Sequence, residues 1–133
     1  MTDRDRQHRL VLIKHSLPEM QIQTESRFWQ LSEEGRKRCA PLADKLRRFD
    51  LARIVSSNEP KAVETAELIA DQLSRTHIVR PNLHENDRTG LGFVGLEAYR
   101  ETFRRFFAEP DRVVVGTETA EEARTRFSAA VEV

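Results

Sequence analysis

Leu10-Val11-Leu12-Ile13-Lys14-His15-Ser16 is the stretch on which the fold turns. Four apolar residues run without interruption and stop at a cation and an imidazole. A short apolar run of this kind suits a strand covered on both faces, as in a parallel sheet. Pro18 forbids its regular continuation, so Ser16 to Thr24 reads as a loop. Ser32 is a helix N-cap candidate, with Glu33 and Glu34 placed to favour the helix dipole. Cys39, Leu42, Ala43 and Leu46 then share one helical face. Leu51 to Val55 reads as a second strand ending at Ser56-Ser57, and Pro60 suits the first turn of the helix that follows. Ala62, Ala66, Ile69 and Leu73 line its buried face.

Further along, Ile78-Val79 reads as a short third strand stopped by Pro81, and 82–95 as a loop of functional length. Tyr99, Phe103, Phe106 and Phe107 fall on one face of a third helix. Val113 to Val115 is a weak strand or an extended connection. Ala120, Ala123, Phe127 and Ala130 mark a last helix, which runs to Val133 with no capping residue and no strand after it, as in a chain cut rather than finished. Strands alternating with helices predict an α/β layered fold with a mainly parallel sheet.

The 133 residues suit a single domain, 1–133. Cys39 is the only cysteine, so no internal disulfide forms, and a cytoplasmic setting is the default expectation. Met1 to His8 is too polar to be the apolar centre of a signal peptide. No apolar run approaches the ~20 residues of a membrane helix. Lysine plus arginine and aspartate plus glutamate each number 22, so no net charge draws the chain toward nucleic acid or a membrane. Arg100, Arg104 and Arg105 interleave with the aromatics of the third helix, but the spacing makes the rings core and the arginines solvent-facing, which argues against base stacking. The histidines lack metal-ligand spacing, and neither a metal nor another cofactor is implied.

In open α/β sheets ligands bind beyond the carboxyl ends of the strands. The first strand ends at Lys14-His15. The second ends at Ser56-Ser57, with Lys61 in the first turn of the next helix. Cations, an imidazole, hydroxyls and a positive helix end thus converge, which is a phosphate site by physical logic. Neutral histidine is a competent nucleophile toward phosphorus, and nearby cations offset charge on the non-bridging oxygens.

These residues fall in ordered blocks. An apolar strand leads into Lys14-His15-Ser16. Leu31-Ser32-Glu33-Glu34-Gly35 opens a helix. Ser56-Ser57 is followed by Lys61-Ala62-Val63-Glu64-Thr65-Ala66. Leu83-His84-Glu85 precedes Gly90, and Gly116-Thr117-Glu118-Thr119 precedes the last helix. In that order, across about residues 9 to 131, the chain resembles the N-terminal two-thirds of a histidine-phosphatase (phosphoglycerate-mutase-like) domain. The resemblance implies a three-layer α/β/α fold with a mainly parallel sheet, incomplete at its C-terminus. It implies a metal-independent phosphoric monoester hydrolase acting on a small phosphorylated molecule.

Carried over by position, His15 takes the phosphoryl group and Glu85 is the proton donor and acceptor, with Asp87 a rival in the same loop. Lys14 and Lys61 stand where the family has phosphate-binding arginines, and Gln21 where many members have a phosphate-contacting asparagine. Ser57 joins them as a phosphate contact, although turn polarity also accounts for Gln21 and Ser57. The chain departs from the pattern in its two lysines, which lack arginine's planar fork, in Ser16 for glycine, and in having no later block with a second histidine. His77 and His84 have the wrong context for one. A degenerate, non-catalytic phosphate-binding module is therefore the alternative, and a mutase-type phosphotransferase a weaker one, since the long insertions of dedicated mutases are absent. A sheet lacking a later strand would leave an open edge and predicts a homo-oligomer.

Overall fold

A computed structural model describes residues 9–132. Met1 to His8, read above as too polar for a leader, and Val133 lie outside the described residues. The architecture is α/β. Strand β1 (Arg53–Ser56) pairs in parallel with β2 (Thr76–Val79), in a register that sets Arg53 opposite Thr76 and Ser56 opposite Val79. Parallel neighbours need a crossover, and a long helix supplies it.

Before β1 come α1 (Glu33–Lys37) and α2 (Cys39–Leu46). Ser32 caps α1 as the sequence predicts, its hydroxyl accepting the Gly35 N–H at 3.0 Å. The sequence predicts one helix from the Ser32 cap through the face Cys39, Leu42, Ala43 and Leu46; that face holds within α2, but the chain divides the helix at Arg38. Pro41 has no N–H to give Lys37, so the ladder is interrupted there. The crossover α3 (Pro60–Leu73) starts with proline in its first turn, as expected. Ala43 and Leu46 of α2 meet Ile69 of α3 in a dry core, with Val11, Leu42, Phe49, Leu51, Ile54 and Leu73 packed around them.

The second half of the chain holds α4 (Leu96–Ala108) and α5 (Ala120–Val131). Val113 to Val115 forms no strand, and the chain bends at Val115. On α4 the predicted four-ring face is corrected to three. Tyr99, Phe103 and Phe106 turn inward, with Phe106 buried, but Phe107 is 73% exposed. It is the immediate neighbour of Phe106, about 100° further around the helix. Arg100, Arg104 and Arg105 face solvent as expected.

The larger correction concerns Leu10 to Ile13, which is not a strand. Val11 packs against the core, while Leu10, Leu12 and Ile13 are 65%, 67% and 41% exposed. A strand is defined by ladder bonds to a neighbour, and among the described residues none pairs with this run. Instead a cleft of about 1370 Å³ separates it from β1, with Phe127, Ala130 and Val131 of α5 forming a further wall. Among the described residues no helix is long and apolar enough to cross a membrane.

Candidate active site

His15 stands at the end of the extended run and lines the cleft. Its Nδ1 lies 2.7 Å from the Ser16 carbonyl oxygen. A carbonyl can only accept, so Nδ1 carries the proton in this bond and Nε2 carries the lone pair. Burial pushes the His15 pKa below 6.5. The Ser16 carbonyl and Glu85 oppose that shift, and Lys61 and Lys14 reinforce it. The imidazole is therefore held neutral, in one tautomer, with its free nitrogen a potential nucleophile.

The loop behind it is fixed by α1 and α3. The Ser16 N–H donates to Thr65 Oγ1 at 3.0 Å, and the Ser16 hydroxyl donates to the Gly35 carbonyl at 2.6 Å. The side chain that replaces the expected glycine is thus drawn toward α1. Gly35 allows this approach, because a Cβ there would overlap the Leu17 carbonyl oxygen.

Lys61, in the first turn of α3, is 1% exposed. Its ammonium donates to the Ser26 carbonyl at 3.0 Å and to Glu85 Oε1 at 2.6 Å, with Glu59 Oε2 at 3.6 Å. The Trp29 ring lies 5.7 Å away. A charge taken so far out of water must be paired, and here two carboxylates and a carbonyl do so. Glu85 is in turn gripped from its other oxygen by Arg88, at 3.2 Å. Burial works against ionisation of Glu85, but Arg88 and Lys61 outweigh it and hold the carboxyl below 4.5. Glu59 moves the other way: burial raises its pKa despite Lys61.

The sequence candidates thus separate into groups. His15, Lys61 and Glu85 are brought together, each bearing on the charge state of another. Lys14 is exposed at the cleft, and Ser57 is buried in its wall with its Oγ accepting the Glu59 N–H at 3.3 Å. Gln21 is exposed on the loop, where its carbonyl accepts the Phe93 N–H at 3.2 Å. Asp87, the rival to Glu85, is turned to other work: its carboxylate accepts from the amides and hydroxyls of Thr89 and Thr117 and is depressed to about 2. His77 lies on β2, its Nε2 2.7 Å from the Ser56 hydroxyl oxygen.

Sequence reasoning missed Glu59 and Arg88. Arg88 lies three residues from Glu85, and its guanidinium stacks 4.4 Å from the Phe103 centroid. Its place three residues after Glu85 in the same polar loop is the sequence signal that could have found it. No group of three or more potential metal ligands occurs among the described residues.

A parallel α/β fold with a buried lysine–carboxylate pair beside a neutral, oriented histidine defines a class. Residues 10–133 match the model of the histidine phosphatase superfamily (branch 1), and the chain belongs to that superfamily. Among solved structures, a mycobacterial glucosyl-3-phosphoglycerate phosphatase with inorganic phosphate is similar at 20% identity and a TM-score of 0.68. The match covers 89% of this chain and 58% of that one. The same phosphatase complexed with VO3 gives 20% identity and a TM-score of 0.67 over 89% of this chain and 62% of that one. YhfR of Bacillus stearothermophilus matches at 19% identity and a TM-score of 0.68, over 90% of this chain and 63% of that one. At these identities the likeness is one of fold, and the chain spans roughly three-fifths of the length of each. No curated protein matches it in sequence.

Proposed function

We propose that the chain is a phosphatase-like hydrolase of a small phosphorylated molecule, working through a phosphohistidine at His15 with Glu85 as acid and base. The observation that carries this reading is the His15 tautomer: Nδ1 anchored on Ser16, Nε2 free, in a wall of the cleft that Glu85 shares. Nε2 attacks phosphorus, the P–O ester bond breaks, and Glu85 gives its proton to the leaving oxygen. Water then attacks the phosphohistidine, Glu85 takes a proton from it, the P–N bond breaks and phosphate departs. Lys14 and Lys61 offset charge on the phosphoryl oxygens, with Gln21 and Ser57 as further contacts. Inorganic phosphate and VO3 in the mycobacterial relative support an oxyanion as ligand.

The test is hydrolysis of p-nitrophenyl phosphate by the chain, His15→Ala and Glu85→Gln, with acid-labile phosphohistidine sought by phosphorus NMR. Turnover that survives His15→Ala unchanged sinks the reading. Because His15 must be neutral and Glu85 protonated in the first step, and both are shifted down, the rate should peak below pH 6.5.

One observation favours the second reading, a phosphate-binding module without turnover. Lys61 is fully engaged by Ser26, Glu85 and Glu59, and it lacks arginine's second arm with which to grip phosphate as well. Calorimetric binding of orthovanadate that needs His15 and Lys14, without measurable hydrolysis, would select it.

A further inference from the structure

Glu85 sits in a loop with no regular structure, 82–95, yet an acid/base must be held within a fraction of an ångström of its working position. The chain supplies a device for this that lies outside the cleft chemistry. Arg126, on α5, donates from Nη1 to the Asn82 and His84 carbonyls, both at 2.9 Å, and from Nη2 to the Glu85 carbonyl at 3.0 Å. The same guanidinium meets Glu118, with Nη2 to Oε1 at 2.8 Å and Nε to Oε2 at 3.2 Å. Glu118 reaches forward as well, accepting the Asp87 N–H at 2.9 Å. One ion pair therefore grips the backbone on both sides of Glu85, at the 84 and 85 carbonyls and at the 87 amide. The turn that carries Glu118 is locked to the loop separately. Asp87 binds Thr117 through its amide and hydroxyl, and Gly116 lies so close that a Cβ would overlap the Asp87 carbonyl oxygen.

The arrangement has the chemistry of a positioning element. Both members of the pair are little exposed, 17% for Arg126 and 14% for Glu118, and five donor groups of one planar fork are assigned to acceptors of fixed geometry. Lysine, a point charge, cannot reproduce that chelate. The surface ion pair Arg124 with Glu121, on the same helix, joins two side chains three residues apart that are both exposed.

We propose that Arg126, locked by Glu118, is a positioning residue that sets the Glu85 carboxylate against Lys61. The proposal deepens the reading of Glu85 as acid/base and rests on it for its catalytic consequence, but not for its structural one. If the clamp is released, Glu85 withdraws from Lys61 and Arg88, the two cations that favour its ionised form, while the helices and the core are untouched.

The experiment follows the Glu85 side-chain carboxyl by carbon NMR through an acid titration in the full chain, in Arg126→Lys, in Glu118→Gln and in the surface control Arg124→Ala. Glu118→Gln keeps the side chain's length and removes its charge, so it carries the test if substitution at Arg126 prevents folding. The Glu85 midpoint is expected to move upward in Arg126→Lys and Glu118→Gln and to stay in place in Arg124→Ala. p-Nitrophenyl phosphate turnover should fall about 10²-fold in kcat, with KM little changed, in the two clamp variants only. A Glu85 midpoint unchanged in folded Arg126→Lys and Glu118→Gln overturns the proposal, whatever happens to melting temperature. If the midpoint moves but Glu85→Gln itself leaves turnover intact, the positioning role stands and the acid/base reading falls.

Discussion

Helices α3 and α5 each bring the chain to the cleft, and they are held there by opposite means. α3 is seated by burial: Ala66, Ile69 and Ala70 are buried, and Ile69 meets Ala43 and Leu46 in the dry core. α5 has no fully buried residue. Its Ala120, Ala123, Phe127 and Ala130 are only half-covered, and its Arg126 ties it to Glu118 and to the 82–85 backbone. The two mechanisms respond to different insults. Apolar burial is insensitive to protonation and to charge screening and fails when volume is removed. A charged clamp tolerates small changes of volume and fails when protonated or screened. The site straddles the two, with Lys61 on the rigid helix and Glu85 in the loop that the charged helix grips.

The largest expected effect breaks the apolar side. Ile69→Ala should cost about 2–5 kcal/mol, read from urea unfolding, because its neighbours leave a void they cannot fill. A loss below about 1 kcal/mol would mean that the core is as loosely packed as the surroundings of α5.

Acid should break the polar side first. His15 and His84 have folded pKa values below 6.5, so the unfolded chain takes up their protons first and stability falls as pH drops through that region. Glu85 and Glu118 are depressed below 4.5, and Asp87 from 3.8 to about 2; what they contribute is complete above those ordinary values and is lost as pH falls through the folded ones. Glu59, shifted upward, works the other way. Amide protection, measured against the intrinsic exchange rate at each pH between 6 and 3, should therefore be lost in the 82–89 loop before it is lost in α3. Simultaneous opening of both would erase the distinction between the two helices.

A smaller effect concerns the cleft wall that neither helix covers. Leu10, Leu12 and Ile13 are exposed apolar residues on an extended segment, a surface that pairs readily with another chain. Light scattering over a dilution series should show a dimer or larger species that Leu10→Ser with Leu12→Ser disperses. A concentration-independent monomer would refute it. The smallest effect belongs to Phe107, whose replacement by serine should alter stability by no more than about 0.5 kcal/mol, since the side chain is already in water.

What the sequence made legible follows the same divide. Local chemistry was readable: the Ser32 cap, Pro60 in the first turn, the Ile69 face and β2 around Ile78-Val79 all depend on neighbours within a few residues. The identity of His15, Lys61 and Glu85 as a group was readable only through ordered blocks resembling a known family, because their meeting joins three distant segments. The apolar run at Leu10 misled, since apolar content is necessary for a strand but a ladder partner decides it. Phe107 misled because a helical face has a rim, and spacing alone does not say on which side of it a ring lies. Arg126 could not be found at all: nothing in the sequence of a helix that also carries Arg124 signals that three backbone carbonyls await Arg126 about forty residues upstream.

Gly35 carries a consequence for anyone who ranks positions of this chain by tolerance to substitution. Its backbone accepts the Ser16 hydroxyl, and any larger residue would collide with Leu17, two positions from His15. In a saturation library scored by survival, Gly35 should therefore look as indispensable as the histidine, although it touches no reacting atom. Only a screen that counts soluble protein separately from turnover would part the two, with Gly35 variants vanishing from the first count and His15 variants from the second alone.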